Sequence, residues 1–488
     1  MSISKRVAKN SSIYAGANLV QRFFAFLLLP LYTRYLTPES YGIIAVITGL
    51  SLTLGMILNL SFSGAITRFH FEYRDSEKLK EFRGTLLIFI ALFSLGVGGL
   101  LLLFGKYLFA PLLGDVPFWP YMAIGISGAV FFPVYDLFLN ALQVEEHSTR
   151  FAWVTISNFV IRAGIAIALV VGAGMQAEGP LIATALTTII YAVLALFLIR
   201  PTVSFTFRLH YLKEALSYSL PLLPHTLVTQ VKHITDKLFL NSMVSTASAG
   251  IYNIGFQIGS LTAIVAMAAN RAFIPPFMSA MKSENSNELA ELEELGSLLI
   301  YFYLMISLFM SFFAKEIVTL LTTKEYTEGF VVVPFIAFSF AARGLYFLFV
   351  NTLFYHKKAT KFVVAGSATG MLMNLLFNWL FIRWWGLVGA AVATMLSQVI
   401  TTVVIAIIAH PMSKIKWHYI RYGTLFFLGL MLAVFINGDQ ILPTFHLFIL
   451  KIVILVSAGA GASLILWNNP AHALNQIKKI RKFFTAIS

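Results

Sequence analysis

Apolar residues along this chain follow neither the alternation of strands nor the single stripe of a surface helix. They form long runs, interrupted by short polar, charged or proline- and glycine-bearing stretches. A hydrocarbon layer about 30 Å thick is crossed by a helix of roughly 20 such residues. At that length the runs predict fourteen spans, centred near residues 22, 54, 94, 131, 162, 189, 229, 262, 304, 342, 373, 397, 428 and 456. The first and seventh contain internal charges, and the pair at 373 and 397 is joined only by Arg383-Trp384-Trp385-Gly386. The predicted fold class is an all-α polytopic membrane protein.

Composition strengthens that picture. Of the 488 residues, 58% are hydrophobic and 11% charged, and the mean hydropathy is +0.82. Soluble domains carry about 45–50% apolar and about 25% charged residues. The absence of cysteine excludes disulfides and thiolate chemistry. A formal charge of +14 raises nucleic acid as a partner, but the placement of the charge removes it. With the N-terminus inside, inner loops and tails hold 24 of the 35 lysines and arginines and outer loops hold five. This bias predicts two cytoplasmic termini in a multi-pass protein of the cell (inner or plasma) membrane. The basic tail around Lys478-Lys479 and Arg481-Lys482 reads as part of the same bias, and Lys5-Arg6 precedes a retained span rather than a signal peptide.

No predicted loop is long enough to fold as an ATPase domain. No GxxxxGK[ST], HExxH, GxSxG or histidine cluster occurs either. No enzymatic activity, cofactor or metal is therefore expected, and energy must come from an ion gradient, the membrane potential or the substrate's own gradient.

The chain also repeats itself. Leu137-Phe138-Leu139-Asn140-Ala141-Leu142 recurs as Leu348-Phe349-Val350-Asn351-Thr352-Leu353, an offset of 211. Thr149-Arg150-Phe151 matches Thr360-Lys361-Phe362 at the same offset. Gly179-x-x-Ile182-Ala183-Thr184 recurs as Gly389-x-x-Val392-Ala393-Thr394 at 210, and Tyr41-Gly42-Ile43 matches Ala249-Gly250-Ile251 at 208. A unit of six spans inserts both copies the same way up. The expected organisation is a six-helix bundle over 1–214, a second over 215–415, and two extra spans with a basic cytoplasmic tail over 416–488. Parallel repeats place a substrate site between halves near the midplane and predict alternating access; a static channel needs no rocking halves.

Eight ionisable groups fall inside predicted spans: Arg22, Asp136, Arg162, Lys232, Asp236, Lys237, Arg343 and Lys451. Each costs about 2.5–3.5 kcal/mol at a helix centre unless paired or hydrated. Arg22, Arg162 and Arg343 are central in three separate spans, which predicts a shared aqueous cavity. None is duplicated by the repeat: Arg22 aligns with Gln230, Arg162 falls near Met373, and Arg343 aligns with Phe132. Lys232 and Asp236 share a helix face one turn apart. Lys237 and Lys451 lie near span ends and are expected to snorkel. Asp136 is a partner for Arg22 or Arg162; equally, Asp136 or Asp236 is a carrier for a coupled proton.

Six positive groups against two negative favour an anionic substrate, and arginine's planar fork suits phosphate oxygens. Gln21, Asn140 and Gln230, with Asn18, Asn158, Asn253, Gln257, Asn270, Asn374 and Gln398, add hydrogen bonding suited to sugars. The candidate binding set is Arg22, Arg162, Arg343, Lys232, Gln21, Asn140 and Gln230, with Asp136 and Asp236 for ion coupling or charge pairing. The substrate that fits is an anionic lipid-linked sugar.

The run Leu29-Pro30-Leu31-Tyr32-Thr33-Arg34-Tyr35-Leu36-Thr37-Pro38-Glu39-x-Tyr41-Gly42 resembles the end of the first span in bacterial polysaccharide-unit flippases. Tyr218-Ser219-Leu220-Pro221-Leu222-Leu223-Pro224, then Asp236-Lys237 and Gly250-Ile251-Tyr252, resemble their seventh-span region. These O-antigen or oligosaccharide flippases belong to the multidrug/oligosaccharidyl-lipid/polysaccharide exporter superfamily. The resemblance covers essentially the whole chain and implies two six-helix bundles around a cationic cavity. It implies transfer of undecaprenyl-pyrophosphate-linked repeat units from inner to outer leaflet, with polymerase or assembly proteins as partners. It places the family's first-span arginine at Arg22; Lys237 stands where many relatives carry arginine. Pro30, Pro221, Pro224, Pro275 and Pro276 are candidate hinges or terminal kinks. Rival readings are a peptidoglycan lipid precursor, a teichoic-type unit or small drugs on the same fold. A membrane glycosyltransferase or polymerase would need a sizeable outer loop and catalytic carboxylates.

Overall fold

The computed structural model describes residues 24–73, 76–283, 285–438 and 444–467, with isolated positions between 10 and 21. Among the described residues every regular element is helical. The α-helices are α1 (Leu29–Tyr35), α2 (Pro38–Asn59), α3 (Phe62–Glu72), α4 (Ser76–Leu113), α5 (Ala123–Val144) and α6 (Ser148–Ile167). Next come α7 (Glu178–Ile199), α8 (Leu209–Ser219), α9 (Leu223–Met243), α10 (Thr246–Gly259), α11 (Leu261–Ser283) and α12 (Ser286–Phe312). The last are α13 (Ala314–Leu321), α14 (Val333–Tyr355), α15 (Thr360–Ala409), α16 (Tyr419–Gly438) and α17 (Thr444–Trp467).

Among the described residues, eleven helical segments are long and apolar enough to cross a membrane. They take up all the predicted centres except the first and seventh, because Thr360–Met412 contains both 373 and 397. The 50 residues of α15 would stretch about 75 Å as a straight helix, more than twice the hydrocarbon thickness. Gly386 breaks it with φ 51° and ψ −121°, a conformation that glycine adopts without a Cβ penalty. The seventh predicted span is α9, helical over 21 residues but too polar to count among the eleven. Residue 22, the first centre, lies outside the described residues.

Most of the prolines begin helices rather than bend them. Pro30 and Pro224 occupy the first turns of α1 and α9, and Pro221 sits in the 3-10 turn Leu220–Leu222. There a missing N–H is harmless. Pro275 and Pro276 lie inside α11.

The chain divides into two compact units, Met1–Gly250 and Ile251–Ser488. In the first, α5 is central and packs on α2, α3, α4 and α7. Phe62, Phe69, Phe82, Leu137, Phe138 and Tyr211 share a buried cluster. Beside it Arg83, only 2% exposed, reaches Glu145 at 2.5 Å and His70 Nδ1 at 3.1 Å. Tyr73 donates its hydroxyl to Glu214, and burial together with that carboxylate pushes the phenol above its ordinary range, so it stays neutral at pH 7.

Small residues set the helix approaches, as they must where lipid gives apolar faces no reason to associate. A Cβ on Gly42 would stand 1.9 Å from the Thr246 carbonyl oxygen, and one on Gly250 would stand 2.1 Å from that of Pro38. Pro38 and Thr246 are separated by 208 residues, as are Gly42 and Gly250. The contact between α2 and the start of α10 is thus self-complementary, each copy of the repeat offering the same carbonyl to the other's glycine.

In the second unit α14 is enclosed by α11, α12 and α15. Gly344 admits the Tyr303 ring, which a Cβ would meet at 2.4 Å. Lys451 corrects the expectation of snorkelling. It is 3% exposed, its Nζ lies 2.5 Å from Glu316 Oε1 on α13, and the Phe313 ring is 5.9 Å away. A carboxylate on the short helix after α12 neutralises it in place. Lys451→Ala is expected to destabilise the protein by roughly 1–3 kcal/mol, read as a lower unfolding temperature in detergent. Lys451→Met combined with Glu316→Gln should recover most of the loss, because no charge is then left alone.

Candidate functional site

In the first unit, four described positions near the N-terminus meet α6 in turn. Ser148 Oγ donates to Asn10 Oδ1 (2.9 Å), and Tyr14 meets Phe151 edge-on at 5.0 Å. Gln21 Nε2 donates to the Thr155 carbonyl (2.7 Å), and Phe24 lies 6.3 Å from Phe159. Residue numbers rise together, so the described positions of this segment run parallel to α6. The candidate Gln21 therefore anchors this segment to the α6 backbone. Its neighbour Arg22 lies outside the described residues.

Arg162 stands near the middle of the span Ser148–Gly172, partly exposed. Its guanidinium carbon is 5.5 Å from the centre of the Phe159 ring, and the phenols of Tyr32 and Tyr135 are within electrostatic range. Among the described residues no carboxylate pairs with it. Rings hold a planar cation without neutralising it, which leaves its charge for an anion.

Asp136, on α5, is held differently from the expected pairing with Arg162. Its Oδ2 accepts from Asn59 Nδ2 (2.7 Å), Ser63 Oγ (3.1 Å) and Asn140 Nδ2 (2.9 Å). Asn140 also donates to the Asp136 carbonyl (2.8 Å). These bonds bracket a break in the backbone: α2 ends at Asn59, Leu60 and Ser61 have φ of 50° and 58°, and α3 starts at Phe62. Left-handed backbone at two successive non-glycine residues costs about 1–2 kcal/mol each, so the junction needs fixing from outside. Asp136 fixes it from both sides.

On α9, Asp236 is 2% exposed and within electrostatic range of Lys237. Lys232, one turn earlier, and Gln230 are partly exposed. Ile234 fills the space facing Gly49 and seats α9 on α2.

In the second unit Arg343 is partly exposed on α14, its guanidinium carbon 5.9 Å from the Phe347 ring and within electrostatic range of Tyr346. The preceding residue, Ala342, helps line a cavity of about 740 Å³ between α14, α15 and α16, together with Leu345, Phe349, Met395 and Phe426. Deeper in α14, Asn351 Nδ2 donates to Asn270 Oδ1 on α11 (3.0 Å).

The asparagines reveal a correspondence that hydropathy reading missed. Asn59 and Asn270 are 211 residues apart, as are Asn140 and Asn351. Each half thus carries the same asparagine pair. In the second half the two bond directly; in the first they meet at Asp136, whose counterpart is Phe347. The shared offset was the available signal for Asn59. Ser63 had none. Among the described residues no group of three His, Asp or Glu side chains is placed to hold a metal ion.

The sequence pattern of the family described as "Polysaccharide biosynthesis protein" matches residues 7–282, more than half of the chain. A Haemophilus influenzae protein of the Lsg locus is 24% identical over 365 residues, covering 72% of this chain and 86% of that relative. Among solved structures, the lipid II flippase MurJ in an inward closed conformation aligns with a TM-score of 0.74 at 15% identity, covering 93% of this chain and 98% of the other. An inward-facing multidrug resistance transporter of the MATE family, in the MOP superfamily, aligns with a TM-score of 0.63 at 14% identity, covering 80% and 94%. At such identities the likeness establishes a common fold.

Proposed function

The chain belongs to the polysaccharide biosynthesis protein family, and on that premise we propose that it is a flippase for an anionic polyprenyl-pyrophosphate-linked oligosaccharide. The reading takes it to move the repeat unit from inner to outer leaflet of the cell membrane by alternating access, without enzymatic chemistry or cofactor. Its fourteen spans, cytoplasmic termini and six-plus-six-plus-two organisation belong to the same proposal.

The observation that carries the reading is Arg162, a guanidinium near mid-span with aromatic neighbours and no carboxylate partner among the described residues. A charge kept at that depth is explained by an anionic visitor that neutralises it. Arg343 and Arg22 would share the pyrophosphate, with Lys232, Gln21, Asn140 and Gln230 serving the sugars. The apolar cavity beside Ala342 suits a polyprenyl tail, and assembly or polymerase proteins would receive the product.

The test is reconstitution of the purified protein in vesicles carrying the lipid-linked oligosaccharide on one leaflet. Appearance of the sugar on the other leaflet, followed with a lectin and with and without an imposed potential, should exceed the protein-free rate at least about tenfold, a difference of 1.4 kcal/mol in barrier. Equal rates would end the proposal. The fold shared with a lipid II flippase supports a second reading, the peptidoglycan precursor. Rescue of cells lacking that activity would favour it.

A further inference from the structure

The asparagine clasp occurs twice, and only the first copy contains a carboxylate. The second copy demonstrates that Asn270 and Asn351 close the corresponding helix contact by themselves. In that copy the helix runs unbroken through Asn270, so Asp136 is specific to the broken α2–α3 junction of the first, in a setting where an ionised group is expensive. Its donors are all neutral: Asn59, Ser63 and Asn140 converge on Oδ2, and no ion pair forms among the described residues. One further atom is out of balance. Asn59 is 6% exposed, and its Oδ1 is buried without a hydrogen-bond donor.

A carboxylate has no proton to give that oxygen; a carboxylic acid has one. Asn59 already spans toward Asp136 through Nδ2, and a carboxamide carries its oxygen on the same carbon. Its N and O thus match the two oxygens of a carboxyl group. The residue retains partial exposure, so a route for exchange remains.

We propose that Asp136 is a proton-binding site, closed by the Asn59 carboxamide, that belongs to the first half of the protein alone. A proton arriving from water bonds to Oδ1 and is donated to Asn59 Oδ1, while Asn59 Nδ2 continues to donate to Oδ2. Release returns the proton to water and leaves Asn59 Oδ1 unsatisfied again. The site holds both sides of the α2–α3 break, Asn59 before it and Ser63 after it, so its occupancy acts on that junction. Titratable and charged groups nearby are Tyr135 on the same helix, Tyr191 of α7 stacked edge-on with it at 5.9 Å, and Arg162 of α6 within range of Tyr135. None bonds to Asp136; α2 and α3 present only neutral partners. A role in coupling rests on the transport reading; proton binding does not.

The deciding measurement is infrared titration of the detergent-purified full chain, from mildly acidic to mildly alkaline, in ordinary and heavy water. A deuterium-sensitive carboxylic-acid band should rise and fall with pH in the wild type, be missing from Asp136→Asn, and be indifferent to sodium. Asn59→Ala should keep the band but move it to higher frequency, because the acid loses its amide partner. That variant tests the site even if Asp136→Asn folds poorly. A band that survives Asp136→Asn, the lack of any titrating band, or its displacement by sodium would overturn the proposal, the last in favour of a cation site. In vesicles, Asp136→Asn should lose acceleration by a pH gradient. If the wild type moves no lipid-linked sugar yet the band titrates, the transport reading fails and the proton site stands.

Discussion

Replacing Arg162 or Arg343 with alanine is expected to abolish surface polysaccharide while the protein still reaches the membrane in normal amount. Hydrogen bonds to charged groups contribute about 1.5–3 kcal/mol each, so one lost guanidinium slows transfer of a pyrophosphate roughly 10- to 100-fold. Both residues are partly exposed and rest against aromatic rings, and their removal opens no large void in a packed core. Stability should therefore change little, and immunoblots of membrane fractions would separate function from folding. Lysine should rescue only partly, since it keeps the charge but not the planar fork. Arg22→Ala is expected to behave alike. Normal export in all three alanine variants would remove the arginines from the site.

A second large effect is expected at Gly42 and Gly250. A single methyl at either position falls about 2 Å from a backbone oxygen, 1.9 Å for Gly42 and 2.1 Å for Gly250. Those oxygens belong to helical backbone and cannot swing aside like a side chain, so the helices must separate. Overpacking of this kind typically costs 1–3 kcal/mol and occasionally more, and Gly42→Val should exceed Gly42→Ala. Expected results are a fall in the yield of correctly folded protein on size exclusion and loss of export. Gly96, where an added Cβ meets nothing within 4 Å, is the control, and Gly96→Ala should be silent. Silence at Gly42→Val as well would show that the contact opens without penalty.

Hydropathy makes the spans legible because each is an autonomous segment with the membrane as its solvent. It says least at α9, a helix of 21 residues in which Lys232, Asp236 and Lys237 stand among apolar residues and which is too polar to count among the eleven. Charge pairing was far less legible. Arg83 counted as an ordinary inner-loop cation, yet it is buried on Glu145, 62 residues away, and Lys451 finds Glu316 at a separation of 135. Partners so distant leave no local trace. The Asp136 cradle was half visible: the carboxylate stood out by charge, whereas Asn59 and Ser63, neutral and isolated in apolar runs, did not.

The paired glycines of α2 and α10 also bear on what one half of the chain would do alone. A surface that meets a copy of itself is one by which two identical half-length molecules would also associate. Joined in one chain, the two copies need not stay alike, and Asp136 against Phe347 is one place where they differ.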